Sequence, residues 1–509
     1  MKRFLFLLLA VTALLLVFIS CGDETAATEP DKDTHATSTT NTSTNKPNEI
    51  STTAETTVQA PITTTASVTT LDTLSKQERD RLEALVESNT AKALLIGNAT
   101  IDKYGSNRVP ILGYMVSRFY NPYTGSTSES ASVWHYTAYY AMVSRLIDIT
   151  NGIDANATFN TLSDQVYKGL AYYSGTADVI TYLGTYSTTF YGVNRSNTKG
   201  GANVAGDQAV YDDQMWIIRE MVYRYKQTGD KQYLDEAIRL SNICIKGWDY
   251  SLDKNNQEYG GIPWGPAYAT KHTCSNAPII APLVEIYECL KELGDNNASY
   301  YLDWAAKIYS YTKTHLRDDD MLYADLIGYQ RIEQTGSNGM KKYVSTGLAG
   351  FDAKQYTYNT GAMISGAAAL YRATGQSTYL MDAKNSANAA YSRFCTKKGQ
   401  VLYYPNDTET TWFNLVLLQG FLDFYECDPK VGDRYVQSFQ TSLDYAYKTH
   451  LKDGFLPRDF VGGWDQSSSY DTRKNVMDQA SAAQTYAMLA MWAQSKLDMD
   501  DAKIAAAQQ

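Results

Sequence analysis

The sequence contains few cysteines and histidines, and the familiar metal and nucleotide motifs are missing from it. Six Cys and five His occur in 509 residues, and no two Cys stand in C-x-x-C spacing. We also find no H-E-x-x-H, Walker, G-x-S-x-G or EF-hand pattern. A zinc protease, a P-loop enzyme, a serine esterase and a calcium sensor are therefore disfavoured, and we expect neither a metal nor a cofactor.

The cysteines do not suggest a disulfide framework. Beyond Cys21 their number is odd, and they are Cys244, Cys274, Cys289, Cys395 and Cys427. Cys274 and Cys289 fall on one predicted helix, about 22 Å apart by helical rise, which is too far for a disulfide. We expect free thiols, most of them buried.

Positive charge is also in deficit. Lys and Arg number 45 against 55 Asp and Glu, which gives a net charge of −10. This balance disfavours a nucleic-acid partner and suits a neutral or cationic substrate. By contrast, 41 Tyr and 8 Trp occur against 14 Phe. Because Tyr and Trp combine an apolar face with a polar tip, as sugars do, the bias favours a carbohydrate ligand, although Tyr also commonly lies at surface helix ends.

The first 73 residues have the pattern of an export signal followed by a tether. A basic start and an apolar run end at Ser20-Cys21, so residues 1–21 resemble a bacterial lipoprotein signal peptide with lipidation at Cys21. An ordinary signal peptide or a membrane anchor is the alternative. Residues 22–73 are rich in Thr and Ser and predict a disordered tether. The acidic pair after Cys21 resembles the surface-export signal of Bacteroidetes lipoproteins, which implies an outer-membrane lipoprotein exposed at the cell surface and held by its lipid alone.

Residues 74–509 are predicted to form one helical domain. A turn followed by a helix recurs at 225–237, 293–305 and 373–383. Six apolar helices alternate with six that carry charge on one face. The simplest closed arrangement is an all-α (α/α)6 barrel of six inner and six outer helices, and a parallel α-solenoid is the alternative. The inner helices are predicted to begin near residues 131, 211, 274, 357, 411 and 476.

Long aromatic loops favour the barrel over the solenoid. They lie at 248–264, 315–355 and 451–476, each after an outer helix. Loops of such length are usually functional. A closed barrel would bring them all to one rim, at the N-terminal ends of the inner helices.

Polar and aromatic side chains gather at this predicted rim. Asp212 and Asp213 open one inner helix, whose dipole favours an ionised carboxylate, while each like-charged neighbour favours a proton on the other. Glycoside hydrolysis needs that division between nucleophile and acid, although an acidic helix cap is the alternative. The candidate substrate-binding residues, each of which could instead be a core residue, loop anchor or cap, are Trp134, His135, Gln214, Trp264, Asn276, Tyr358 and Asn359.

An ordered series of motifs resembles glycoside hydrolase family 76, the bacterial endo-α-1,6-mannanases. The segment YDDQMW at 211–216 resembles the catalytic signature of that family. Further matches follow in order within 210–425: YGGIPW at 259–264, SNA at 275–277 and YTYNTG at 356–361. Each motif alone is weak evidence, whereas their order along the chain is specific.

The resemblance implies an (α/α)6 fold and internal hydrolysis of α-1,6-mannan backbones with retained configuration. It implies Asp212 as nucleophile, Asp213 as acid/base, no metal, and α-mannan or manno-oligosaccharides as the partner. The chain departs from the family pattern at Pro263, Tyr356 and Thr360, which are positions near expected sugar contacts.

Three other functions remain open on the sequence. A transglycosylase could use the same scaffold, because a covalent intermediate can pass to a sugar instead of water. A non-catalytic surface glycan-binding protein would not need both aspartates. An unsaturated uronyl hydrolase would need a basic rim, and the motif segments contain few Arg or Lys.

Overall fold

The computed structural model describes residues 73–107, 109–405 and 410–507. They belong to one compact unit that spans Thr70–Gln509. The predicted signal peptide, the lipidation site Cys21 and the tether up to residue 72 lie outside the described residues.

Helices dominate the described residues, and twelve of them are long. Six lie inside: α2 Val133–Ile149, α4 Tyr211–Thr228, α6 Ala277–Glu292, α8 Thr357–Thr374, α10 Trp412–Cys427 and α13 Val476–Ala507. Six lie outside: α1 Lys76–Tyr104, α3 Ala155–Gly169, α5 Lys231–Lys246, α7 Ala298–Leu316, α9 Ser377–Phe394 and α11 Pro429–His450. The short α12 covers Ser469–Thr472. No helix in the described ranges is both long and apolar enough to cross a membrane.

The six inner helices close into a ring. Each contacts the next inner helix along the chain, and α13 returns to contact α2. The outer helices pack around this ring, so that α5 lies against α4, α7 against α6 and α1 against α13. This is the (α/α)6 barrel predicted from the sequence, and the inner helices begin close to the predicted positions.

The burial of each helix explains its composition. The inner α8 is buried along an unbroken stretch from Thr357 to Leu370, and beyond its first turn this stretch consists of small or apolar residues. The outer α5 buries only one side, with Tyr233, Ala237 and Leu240 at helical spacing. An inner helix therefore needs small residues, and an outer one needs a single apolar face.

The predicted turn units end their first helix at a glycine. Gly229 after α4 and Gly375 after α8 have φ of +69° and +68°, and each donates its N–H to a carbonyl of the last helical turn. Only glycine adopts this left-handed conformation without strain. The repeated Thr-Gly step in the sequence is thus a helix stop.

Antiparallel strands lie in the connections at the N-terminal rim of the inner helices. They are β1 Gly105–Ser106, β2 Met115–Tyr120, β3 Thr127–Ser130, β4 Ser174–Ile180, β5 Thr185–Tyr191, β6 Lys271–His272, β7 Ala324–Thr335, β8 Lys341–Gln355, β9 Thr396–Lys398, β10 Val401–Tyr403 and β11 Lys474–Asn475. β2 pairs with β1, β3 and β11, β4 with β5, β9 with β10, and β6-β7-β8 form one sheet. The sequence predicts a loop at 315–355, whereas most of this range forms the β7–β8 hairpin.

All five described cysteines are free thiols, as the sequence predicts. Cys244, Cys274 and Cys289 are buried. Cys274 lies ahead of α6, however, and does not share a helix with Cys289. This position brings its thiol to the rim.

Candidate active site

The Asp212-Asp213 pair lies in the first turn of α4. Val210 before it is extended, so the helix begins at Tyr211. The Tyr211 N–H donates to the Trp264 carbonyl at 2.7 Å, which ties the helix start to the loop ahead of β6. The pair therefore lies at the positive end of the helix dipole, beside an aromatic loop.

The Asp212 carboxylate accepts three hydrogen bonds. Its Oδ1 accepts from the Asp213 backbone N–H at 2.7 Å, and its Oδ2 accepts from Trp264 Nε1 at 2.8 Å. The Cys274 thiol also donates to Oδ2, at 3.7 Å. Burial raises the pKa of Asp212 to about 6, and the three donors limit that rise because they stabilise the carboxylate. These donors therefore favour the ionised form of Asp212.

The Asp213 carboxyl has a different environment. It is buried, and no hydrogen bond from the described residues compensates for its lost hydration. Burial raises the pKa of Asp213 well above its usual value, and the neighbouring Asp212 charge raises it further. Of the two carboxyls, Asp213 is therefore the one whose surroundings favour the protonated form.

The Trp264 loop is fixed by close packing against an outer helix. Gly261 has a φ of +75°, and a Cβ there would lie 2.3 Å from the Tyr311 ring. The Gly-Gly motif is therefore required both by conformation and by space. Trp264 itself is half-buried, with its ring 5.3 Å from that of His272, so part of the indole is open beside Asp212.

Asn276 holds this loop and does not face the rim. Its Nδ2 donates to the carbonyls of Ile262 and His272 at 2.9 and 2.8 Å. Its Oδ1 accepts from the Ile262 N–H at 2.8 Å. Because both ends of the amide are used and the residue has no exposed surface, the expected sugar contact does not fit this position.

Gln214 has a similar structural role. Its Nε2 donates to the Tyr191 and Val210 carbonyls at 2.8 and 3.1 Å, and its Oε1 accepts from the Tyr191 N–H at 3.0 Å. The side chain is fully buried. Gln214 therefore fastens β5 to the start of α4, and the expected substrate contact does not fit here either.

Tyr358 and Asn359 lie in the first turn of α8, at the rim as predicted. Tyr358 is nearly buried, and its ring centroid lies 4.2 Å from that of Phe413. Asn359 donates its Nδ2 to Asp325 Oδ1 at 3.2 Å, while its own Oδ1 has no partner among the described residues. Asn359 is thus the buried candidate whose amide is not fully used.

His135 and Trp134 open α2. His135 is buried between Ser132 Oγ, 2.7 Å from its Nδ1, and Asn475 Nδ2, 3.3 Å from its Nε2. Burial holds the pKa of His135 well below its usual value, so the ring is neutral and part of the core. Trp134 is half-buried, with its ring 5.4 Å from that of Trp412, and it lines the barrel interior.

Two residues of the site are absent from the sequence prediction. Cys274 donates to Asp212, and the sequence signal for it was its place next to the Ser275-Asn276 motif. Asp325 is a third buried carboxyl at the rim, where burial raises its pKa to about 6. It lies in a stretch without a motif, so nothing in the sequence marks it.

The arrangement brings together two adjacent carboxyls in unlike surroundings. Asp212 is oriented by donors that favour its ionised form, whereas the burial of Asp213 and the neighbouring charge favour its protonated form. In the described part of the chain, no group of three or more His, Cys, Asp or Glu could hold a metal ion. Two adjacent carboxyls in such different states are suited to acid-assisted displacement at a sugar carbon.

Comparison with known proteins places this site in a family context. The model of glycosyl hydrolase family 76 matches residues 111–499, a range that includes the acid pair and the starts of all six inner helices. The chain is 26% identical over 204 residues to the mannan endo-1,6-alpha-mannosidase DCW1 of Saccharomyces cerevisiae. That match covers 39% of each protein, so the chain spans about two fifths of the length of this curated relative.

Solved structures share the fold. A family 76 glycoside hydrolase from a bovine Bacteroides thetaiotaomicron strain has 23% identity and a TM-score of 0.64, with 80% of this chain and 78% of that one covered. An inactive α-1,6-mannanase variant from a Salegentibacter species, with two adjacent aspartates replaced by asparagine and α-1,6-mannotriose bound, has 18% identity and a TM-score of 0.54. There the coverage is 79% of this chain and 99% of that one.

Proposed function

The chain belongs to glycosyl hydrolase family 76, and from that premise we propose that it hydrolyses α-1,6-mannan backbones at internal bonds. The yeast relative is named a mannan endo-1,6-alpha-mannosidase. The Salegentibacter structure contains α-1,6-mannotriose, and its inactivating changes fall on two adjacent aspartates. The proposed substrate is therefore α-mannan or its oligosaccharides.

The observation that carries this proposal is the unequal environment of two adjacent carboxyls. Asp212 receives three donors, including Trp264 Nε1 at 2.8 Å, whereas Asp213 receives none from the described residues. The first is prepared to act as an anion and the second as an acid. This supports Asp212 as the nucleophile and Asp213 as the acid/base.

The reaction then follows a double displacement. An Asp212 oxygen attacks the anomeric carbon, the glycosidic C–O bond breaks, and the leaving oxygen takes the Asp213 proton. Water next attacks the same carbon, gives its proton to Asp213 and releases Asp212. Two inversions restore the starting configuration.

Trp264 has two parts in this account. Its indole N–H orients Asp212, and its open ring surface lies beside the reacting position. Aromatic faces pack well against the C–H face of a sugar. We therefore assign Trp264 to the sugar subsite next to the cleaved bond.

Digestion of linear α-1,6-mannan tests the proposal. We expect the chain to release a ladder of manno-oligosaccharides early, because internal cleavage shortens the polymer before it yields mannose. Asp212→Asn and Asp213→Asn should lose at least a thousandfold in rate. Asp319→Asn, at an exposed aspartate, is the matched control and should keep full activity.

Other products would redirect the assignment. Longer oligosaccharides formed from short ones would indicate a transglycosylase. Binding of mannan without cleavage by the unvaried chain would indicate a glycan-binding protein and would contradict hydrolysis.

We also propose that the protein is an outer-membrane lipoprotein exposed at the cell surface. The support is the sequence of residues 1–21, with Cys21 directly after Ser20. Metabolic labelling with an alkyne fatty acid should mark the chain and fail to mark Cys21→Ser. Protease treatment of intact cells should remove the protein, and survival of the protein would contradict surface exposure.

A further inference from the structure

The interior of the barrel contains a cavity that the catalytic account does not use. Its volume is about 370 Å³, within the range of small-molecule pockets, and all six inner helices line it. Exposed Lys226 and Glu426 lie at one end, in the last turns of α4 and α10. The cavity therefore opens at the end of the barrel opposite Asp212, and we call it the lumen pocket.

Tryptophans form the inner end of the lumen pocket. Trp216 and Trp412 are buried, with ring centroids 4.6 Å apart, and Trp134 lies 5.4 Å from Trp412. Trp216 comes one helical turn after Asp212 on α4. Asp212 and Asp213 do not line the pocket, and the three rings give it an aromatic wall at its end nearer the rim.

Charges in the lumen pocket compensate one another. Four basic and five acidic side chains line it. Lys226 pairs with Glu285 at 3.3 Å, and Arg372 pairs with Glu426 at 3.1 Å, near the opening. An anion would face this excess of carboxylates, so the lining suits a neutral polar ligand.

Hydrogen-bond donors remain unused deeper inside. The Nη1 atoms of Arg145 and Arg219 are buried and have no partner among the described residues. The Arg145 guanidinium lies 3.3 Å from the Tyr223 ring centroid, and that of Arg219 lies 5.7 Å from the Trp216 ring centroid. A buried donor without a partner is unfavourable, and a hydroxyl acceptor inside the pocket would satisfy it.

We propose that the lumen pocket binds a neutral mono- or disaccharide, at a site separate from the Asp212-Asp213 cleft. Sugar hydroxyls both donate and accept, so they match the unused guanidinium donors and the nearby Asp423 and Glu285 carboxylates. The tryptophan wall receives the apolar face of the sugar ring. Only the choice of mannose-based probes rests on the proposed function.

Counting binding sites tests this proposal. Titration calorimetry with α-1,6-mannobiose is done on the Asp213→Asn chain, which retains its cleft but does not turn the ligand over. Arg219→Gln in that background should remove one binding site. The matched control Arg393→Gln, at an exposed arginine on α9, should retain the full number.

Further measurements keep the outcome decisive. A crystal of the Asp213→Asn chain soaked in mannobiose should show a sugar against Arg219, without any change to the pocket. Mannan hydrolysis by the single variant Arg219→Gln should stay within twofold of the unvaried chain. The proposal would be overturned by an equal number of sites in the Asp213→Asn chain and in the chain that also carries Arg219→Gln. An empty pocket in the crystal, or inorganic phosphate bound there in place of the sugar, would overturn it as well. None of these outcomes depends on whether mannan is cleaved.

Discussion

Asp212 and Asp213 share one helix turn, yet neighbours from other elements make them chemically unequal. Trp264 reaches Asp212 from the loop ahead of β6, and Cys274 reaches it from the segment ahead of α6. Asp213 has burial and a charged neighbour but no such donors. At the scale of single residues, the proposed mechanism therefore rests on which carboxyl receives hydrogen bonds.

Removing the indole donor should shift the pH dependence of kcat/KM. Trp264→Phe takes a hydrogen bond from the Asp212 carboxylate, so the pKa of Asp212 should rise above about 6. We expect the acidic limb of kcat/KM to shift upward by roughly one pH unit. Trp304→Phe, on an outer helix, is the control, and an unshifted limb in Trp264→Phe would count against the role of the indole.

The buried Asp213 carboxyl should also lower the free energy of unfolding. Burial raises the pKa of Asp213 in the folded state, so its ionised form costs stability at high pH, and the cost vanishes once both states are protonated. Asp213→Asn should raise the free energy of unfolding by about 1–3 kcal/mol at pH 8 and by nearly nothing at pH 4. Urea denaturation at the two pH values measures this, and an equal change at both would refute it.

Sequence patterns point to the acid pair as the catalytic candidates but do not give the roles of the polar residues around it. Asn276 and Gln214 stand at helix starts, as a sugar contact would, yet the structure uses both amides to hold rim segments. The loops that precede a helix need hydrogen bonds of this kind. A single sequence does not distinguish a residue that holds a loop from one that binds a ligand. Cys274 was missed for the converse reason, since a thiol near an apolar helix resembles core.

At the scale of elements, a buried ion pair fixes the β6-β7-β8 sheet beside the cleft. Lys271 on β6 contacts Asp249 Oδ2 at 2.7 Å, and Ser345 on β8 donates to the same oxygen. Both charged side chains are fully buried. Lys271 precedes His272, which packs on Trp264, so the pair supports the loop that orients Asp212.

Breaking this pair should destabilise the fold. Lys271→Met leaves the Asp249 charge buried without its cation, and we expect a loss of about 3–5 kcal/mol in the free energy of unfolding. Thermal and urea denaturation measure the loss. Lys342→Met, at an exposed position of β8, is the matched control, and similar stability of the two variants would contradict the account.

The strands were harder to predict than the helices. The inner helices are buried on most faces and the outer helices on only one. The spacing of apolar residues in the sequence therefore identifies both kinds. Most of β8 is exposed, including Leu348 and Phe351, and the hairpin lacks a regular alternation of apolar and polar residues. Register shifts within β7–β8 disturb that period further.

At the scale of the whole molecule, barrel closure depends on close contacts between inner helices. A Cβ at Gly420 of α10 would lie 2.4 Å from the Gly361 carbonyl oxygen of α8, and one at Gly361 would lie 2.5 Å from the Val416 carbonyl oxygen. Backbone atoms cannot move aside as a flexible side chain can. The α8–α10 contact is therefore fixed by these two glycines.

Enlarging this contact should weaken the ring. Gly420→Ala should lower the free energy of unfolding by about 1–3 kcal/mol, because the two helices must separate. Gly347→Ala, where a Cβ would meet nothing within 4 Å, should change it little. Urea denaturation of the two variants compares them, and an equal effect would contradict the packing argument.

The division of labour between the adjacent aspartates is tested most directly by azide rescue with an activated α-mannoside. In Asp213→Ala, azide should attack the intermediate formed on Asp212 and give the α-mannosyl azide. In Asp212→Ala, azide should displace the leaving group itself and give the β-mannosyl azide. Proton NMR of the products reads the configuration, and the opposite assignment, or no azide product from either variant, would contradict the account.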